Sequence, residues 1–352
     1  MKRTRAFPAT NPASGKLIGT RSAFPAETYL GDIVEVKLGA TKSEGGTRGK
    51  QLMIGGENTP AFYTFEKPML HLPVVAVDVF DMKVPLPRAV KMHVKEVMED
   101  PAAWAKLAVQ KFEADLVTVH LVSTDPLIKD TSPREAVETV EEVAQAVNVP
   151  LIIGGCGDPR KDADVFEAVA RSFANERFLI SSVTRDMDVE RCAVFIKKYG
   201  HVALSFAPMN LNLTRELNRR LCEILPRENI VMDLTTAALG YGLEYAFSNM
   251  ERARLAALAG DLELAFPMSS GAANAWAARE AWMEMGPEWE PRELRGPLWE
   301  LTTALTLLLA GVDLFMMMHP AAVKTFKDLI KQLTNRNPVE ISTPFEWVSM
   351  RI

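Results

Sequence analysis

From about residue 74 onward the chain alternates short apolar runs with amphipathic stretches. The runs are Val74–Phe80, Leu116–Val122, Leu151–Gly155, Phe178–Val183, His201–Phe206, Ile230–Leu234, Leu264–Ser270 and Leu314–His319. Each is almost continuously apolar, as expected of strands covered on both faces. Between them lie helical patterns. The clearest begins at Ser132-Pro133-Arg134-Glu135, a capping box with proline at the first helical position. Val137, Val140, Ala144 and Val147 then recur on one face. Further helices are predicted over 88–112 (interrupted near Pro101), 161–174, 186–199, 211–224, 241–259, 272–284 and 297–310, with a last one after Pro320.

Eight strands that alternate with helices imply a parallel sheet, and right-handed crossovers wind eight such units into a closed TIM (β/α)8 barrel. An open doubly wound sheet is the alternative, but no GxGxxG follows the first strand. The predicted organisation is an N-terminal extension over 1–70, the barrel over 71–333 and a tail over 334–352. In the extension, Ile33–Leu38 alternates like a half-exposed strand, and the glycine-rich, charged stretch Gly39–Pro60 predicts a hairpin or loop. Gly49-Lys50 suggests a phosphate loop, but Glu44 stands where its first glycine is required and Gln51 follows the lysine. In the tail, Phe345 and Trp347 are candidates for docking on a partner.

Composition narrows the classes. The 352 residues are 48% hydrophobic and 24% charged, which suits a soluble globular fold. A net charge of -5 argues against a nucleic-acid-binding protein. The longest apolar candidate, Leu301–Val312, is too short to span a membrane, and the N-terminus lacks the apolar core of a signal peptide. Cys156, Cys192 and Cys222 are scattered, which argues against a disulfide framework or an iron–sulfur cluster ligated by this chain alone, and points to a reducing cytoplasm.

In a barrel, ligands bind at the C-terminal ends of the strands. After the sixth run, Thr235, Thr236, Ala237, Leu239 and Gly240 place hydroxyls and close-approaching backbone where an anionic or amide-bearing ligand could sit; the plainer reading is a capped turn. After the seventh, Ser269, Ser270, Gly271 and Asn274 suit a large flat ligand, against the plainer reading of a helix cap. After the second, Asp125 is a candidate acceptor for ligand amides, or the start of an Asp-Pro turn. Asp78 and His120 lie inside apolar runs: the aspartate requires a partner or a place at the barrel mouth, and the histidine reads first as a satisfied core residue. His319 ends the eighth run, and Met316-Met317-Met318 reads as packing. The chain has no HExxH zinc pattern, no GxSxG elbow and no Asp-x-His-x-x-Gly cobalt-ligand pattern, so no catalytic or metal-binding residue is assigned.

The segments VPLIIGGCGDPRKDADV (149–165), IVMDLTTAALGYGLEYAFSNMERARLAAL (230–258), PMSSGAANAWAAREAWM (267–283) and RGPLWELTTALTLLLAGVDLFMMMHPAAV (295–323), with GGENTPAFYTFE (55–66), resemble the delta subunit family of the acetyl-CoA decarbonylase/synthase complex, the small subunits of corrinoid iron–sulfur proteins. The resemblance covers roughly 30–330. It implies a TIM barrel that pairs with a large (gamma) subunit. The cobalamin is shared with that subunit, and the iron–sulfur cluster resides in the partner. It implies a non-catalytic role in the reductive acetyl-CoA (Wood–Ljungdahl) pathway. The cofactor takes a methyl group from methyltetrahydrofolate or a related pterin, through a methyltetrahydrofolate:corrinoid methyltransferase, and passes it to acetyl-CoA synthase. The ten candidate residues after strands two, six and seven become candidate cobalamin contacts. This sequence departs from the family pattern at Leu234, where a proline is expected, and at Ala272-Ala273, where hydroxyl residues are expected to face the corrinoid. A pterin-binding barrel that acts as a methyltransferase on a corrinoid protein is the alternative.

Overall fold

A computed structural model describes residues 28–62 and 69–334. The docking role expected of Phe345 and Trp347, and the first 27 residues, lie outside the described residues. The chain enters through two short strands, Val36–Leu38 (β1) and Leu52–Ile54 (β2), which pair antiparallel with Val36 opposite Ile54. Eight parallel strands follow: Val74–Phe80 (β3), Leu116–His120 (β4), Leu151–Gly154 (β5), Leu179–Val183 (β6), Val202–Phe206 (β7), Ile230–Asp233 (β8), Met268–Ser270 (β9) and Leu314–Met317 (β10). β10 pairs with both β9 and β3, so the sheet closes into a barrel.

The period of two along each strand sorts its residues between two cores. Val74, Ala76, Leu116, Ile152, Leu204, Val231 and Met316 fill the barrel interior, and Val36, Leu38 and Ile54 from the N-terminal pair join that cluster from below. Val75, Val77, Val117 and Ile153 face outward against the helices, where Phe166, Phe266 and Phe315 are fully buried. Burying one such aromatic stabilises the fold by roughly 1.5–3 kcal/mol. The N-terminal pair therefore acts as a stopper at the end of the barrel where the strands begin.

The helices are Arg88–Val94 (α1), Pro101–Gln110 (α2), Pro133–Ala146 (α3), Pro159–Ser172 (α4), Val189–Tyr199 (α5), Leu211–Cys222 (α6), Leu243–Leu258 (α7), Arg292–Leu309 (α8) and Pro320–Thr334 (α9). α3 starts at the predicted capping box: the Glu135 N–H donates to Ser132 Oγ (3.3 Å) and the Ser132 N–H donates to Glu135 Oε2 (2.9 Å). Asp158, Asp188 and Asn210 cap α4, α5 and α6 by accepting first-turn backbone N–H groups, without the reciprocal bond.

Three expectations are corrected. The helix predicted over 272–284 is two 3-10 turns, Ala272–Ala277 and Arg279–Ala281, broken by Ala278 in an extended conformation. Helix-forming residues lose here to tertiary packing, because the Trp276 indole packs against Gly296 of α8. The eighth run ends as a strand at Met317, so His319 stands beyond it as the residue before α9. The seventh run contributes only Met268–Ser270, because Pro267 lacks the N–H that a central strand requires.

Candidate functional site

The C-terminal strand ends form the mouth, and its best connected part joins β8 to β9. Asp233 ends β8 almost fully buried. Its Oδ1 accepts the Thr235 N–H at 2.8 Å and its Oδ2 accepts the Ser269 hydroxyl at 3.0 Å. Burial nevertheless pushes its pKa up to about 6, against those two hydrogen bonds. The turn that Asp233 holds puts Thr235 at φ 73, a left-handed conformation that costs a threonine about 1–3 kcal/mol. Thr235 Oγ1 is buried without a partner among the described residues. Next along the chain, the Thr236 and Ser270 hydroxyls are 2.8 Å apart, and Asn274 Nδ2 donates to the Thr236 carbonyl at 3.1 Å.

The structure thus brings Thr235, Thr236, Ser269, Ser270 and Asn274 into one network, with Gly271 between its members in the chain. Ala237 is half-buried and Gly240 is exposed at φ 79, both further along the same loop. Leu239 is tied down from behind, its N–H donating to Thr303 Oγ1 of α8 at 3.2 Å. Asp125 is not part of this cluster. It sits after β4, four strands round the barrel from β8, and its carboxylate accepts the Leu127 N–H at 2.8 Å to hold its own turn. Of the departures from the family pattern, Leu234 and Ala272 are fully buried, so a hydroxyl at 272 would not face the open mouth, whereas Ala273 is half-buried.

The mouth also holds Asp78, His120 and His319 from the apolar runs, and Asp81, Glu300 and His93, which no apolar run marks. Asp81, just past β3, accepts both the N–H (3.0 Å) and the hydroxyl (2.5 Å) of Ser123, and burial raises its pKa. Asp78 does have a partner: His120 Nε2 is 3.2 Å from Asp78 Oδ1. Burial alone would lower the His120 pKa, but Asp78, with help from Asp81, outweighs it and holds the imidazole above its ordinary value. Glu300, fully buried in α8, accepts the N–H of Met318 (2.5 Å) and of His319 (3.1 Å), and burial pushes it up to about 7. His319 stacks on Trp276 (ring centroids 5.9 Å) and meets His93 edge-on; burial, with His93 beside it, brings it down to about 4. No residue pattern at fixed spacing announces these groups, since each depends on which strand ends the barrel brings together. Asp81, Asp233, Glu300 and His319 are all held towards their neutral forms. Such a lining is suited to amides and poorly suited to strong ions.

A cavity of about 870 Å3 lies at the opposite end, lined by Arg48, Lys106, Gln110, Gln145, Asn148 and Glu176. Arg48 spends its donors there on Glu176, Thr47 and the carbonyls of Ala144 and Val147. These bonds fasten the N-terminal extension to the C-terminus of α3, so this end serves stability. Among the described residues no group of three or more His, Cys, Asp or Glu side chains could hold a metal ion, and no helix is long and apolar enough to cross a membrane.

The sequence profile described as CO dehydrogenase/acetyl-CoA synthase delta subunit matches residues 35–286. The acetyl-CoA decarbonylase/synthase complex subunit delta of Archaeoglobus fulgidus is 53% identical over 333 residues, covering 93% of this chain and 74% of the relative. That of Methanocaldococcus jannaschii is 48% identical over 328 residues, covering 92% and 80%. Among solved structures, dihydropteroate synthase from Xanthomonas albilineans superimposes with a TM-score of 0.50 at 16% identity, covering 74% of this chain and 91% of that one. The Coxiella burnetii dihydropteroate synthase, solved with pteroic acid, gives 0.50 at 12% identity, covering 76% and 96%. At that distance the likeness concerns the barrel fold alone.

Proposed function

This chain belongs to the CO dehydrogenase/acetyl-CoA synthase delta subunit family, and from that premise we propose that it is the small subunit of a cytoplasmic corrinoid iron–sulfur methyl carrier, its barrel mouth closing over a cobalamin shared with the large (gamma) subunit. The observation that carries this reading is the neutral network of Thr235, Thr236, Ser269, Ser270 and Asn274 at the ends of β8 and β9. A corrin ring is flat, wide and fringed with amides. Thr235 Oγ1, buried with no partner, and the exposed amide of Asn274 offer a donor and an acceptor for such a fringe. Thr235 in its left-handed conformation is held by Asp233 before any ligand arrives, so the ordering cost is already met.

When bound, cobalamin would supply the cobalt that carries the methyl group. The chain's own residues do the remainder. Asp233 and Ser269 fix the loop, Thr236, Ser270 and Asn274 join the two strand ends, and the mouth keeps water from the enclosed face. The methyl group would come from a methyltetrahydrofolate-type pterin through a methyltetrahydrofolate:corrinoid methyltransferase and leave to acetyl-CoA synthase. The iron–sulfur cluster would reside in the large subunit.

The test is the absorption spectrum of this chain purified alone and with its large subunit, for the wild type and for Asn274→Phe. The expected result is corrinoid bands in the complex only, reduced severalfold by Asn274→Phe while the two chains still co-elute. Corrinoid retention that is indifferent to Asn274→Phe in an intact complex would refute a contact between this face and the cofactor.

A further inference from the structure

On the other half of the mouth, β4 to β7 enclose a cavity of about 350 Å3 whose lining includes His120, Gly154, Ser181, Ser182, Thr184 and Phe206. None of these residues belongs to the β8–β9 network. His120 packs flat on Phe80, with ring centroids 5.1 Å apart and planes 21° apart. The ring fits because residue 154 is glycine: a Cβ there would lie 2.9 Å from His120 Nδ1. Nε2 is taken up by Asp78, while Nδ1 makes no hydrogen bond among the described residues. Two residues back on β4, Thr118 Oγ1 is buried without a hydrogen bond among the described residues. This part of the barrel therefore carries more hydrogen-bonding capacity than the protein itself satisfies.

The adjoining loop Gly154-Gly155-Cys156-Gly157 runs into α4 and invites an anion-cradle reading. Its amides are already spoken for. The N–H groups of Cys156 and Gly157 donate to the Asp162 carboxylate at 2.8 and 2.9 Å, and those of Arg160 and Lys161 donate to Asp158. Two carboxylates stand where a phosphate would have to sit, so an anion is turned away. What remains is a shallow room with hydroxyls on one wall, an imidazole with a free nitrogen, and the apolar Phe206 and Met187. Its volume is at the low end of small-molecule sites, enough for one or two fused rings.

We propose that this cavity binds a planar, uncharged nitrogen heterocycle, its polar edge held by Ser181, Ser182, Thr184 and His120 and its faces packed against Phe206 and Met187. Such chemistry comes from two sources: a free pterin, or the benzimidazole base carried by a corrinoid. The proposal rests on this cavity and does not require the corrinoid contact at β8–β9.

The experiment is calorimetric titration of the full-length chain with 6,7-dimethylpterin, with 5,6-dimethylbenzimidazole and with inorganic phosphate. It is repeated for His120→Asn and Thr184→Phe, with hydrogen–deuterium exchange on the wild type in parallel. The expected result is binding of at least one heterocycle, weakened about tenfold by His120→Asn through loss of one hydrogen bond and abolished by Thr184→Phe. The bound wild type should be protected from exchange in the segments around Gly154–Gly157 and Ser181–Thr184. Binding of the pterin alone identifies a free cofactor, and binding of the benzimidazole alone identifies the corrinoid base. If neither heterocycle binds, if phosphate binds in their place, or if protection falls on the β8–β9 loops, the proposal is overturned. The exchange measurement decides the matter even if both variants fail to fold.

Discussion

Single side chains at the two ends of the barrel do opposite work, and each can be probed alone. At the end where strands begin, Arg254 of α7 is almost fully buried, with Nη1 2.8 Å from Glu57 of the extension and Nη2 2.8 Å from Asp313. Asp313 also accepts the Met268 N–H at 2.7 Å. Arg254→Met leaves two buried carboxylates unpaired, and the expected loss is roughly 3–5 kcal/mol in denaturant unfolding. At the mouth, Asp233 ionises near 6 in the fold instead of 3.8. Below 3.8 both folded and unfolded chains hold this proton. As pH rises from there to about 6, the unfolded chain releases it first, so this group's stabilising contribution is lost across that window. Asn at 233 cannot ionise. Stability of Asp233→Asn relative to wild type should therefore climb between these limits, by on the order of 3 kcal/mol, in urea midpoints taken at stepped pH; a flat difference would contradict the burial argument. Residues of this kind were half readable in the sequence. The unsatisfied Asp78 had to find a partner or the mouth, and it found His120, but nothing in the chain says that residue 78 will meet residue 120.

Elements were readable where the local rules agree with the global packing. Ser132 and Glu135 fix the start of α3 from the sequence, and the structure places both hydrogen bonds there. The β8–β9 network could also be seen beforehand, because its hydroxyls crowd two short stretches after apolar runs. The β4–β7 cavity could not, since its lining is drawn from four strands and no single stretch carries more than a few of its residues. The stretch over 272–284 shows local propensity overruled. Its alanines favour a helix, but Trp276 must reach the face of α8 at Gly296, where a Cβ would come within 2.1 Å of the indole. Gly296→Ala should push Trp276 aside and loosen the segment that carries Asn274. The expected cost is about 1–3 kcal/mol in thermal unfolding, with an altered near-ultraviolet tryptophan signal. An unchanged signal would mean that α8 does not position this loop.

At the scale of the whole molecule, the barrel is asymmetric. One end is stoppered by Val36, Leu38 and Ile54, whose side chains complete the interior core, and is stitched to the extension by Arg48 and Arg254. The other end carries the polar groups with unmet capacity. The period of the eight apolar runs was enough to read the barrel, because each run is buried on both faces. It could not reveal the stopper, which depends on two three-residue strands folding under the barrel. With its interior packed by side chains and its base capped, the barrel is a cul-de-sac at the mouth. Whatever enters must retreat by the path it took, and once a second chain covers the rim, departure waits for that chain to lift. Residence time of the occupant would then be governed by the opening of the two-chain assembly. A pulse–chase with labelled cobalamin should show exchange no faster than subunit separation, and mild denaturant that speeds separation should speed exchange in step.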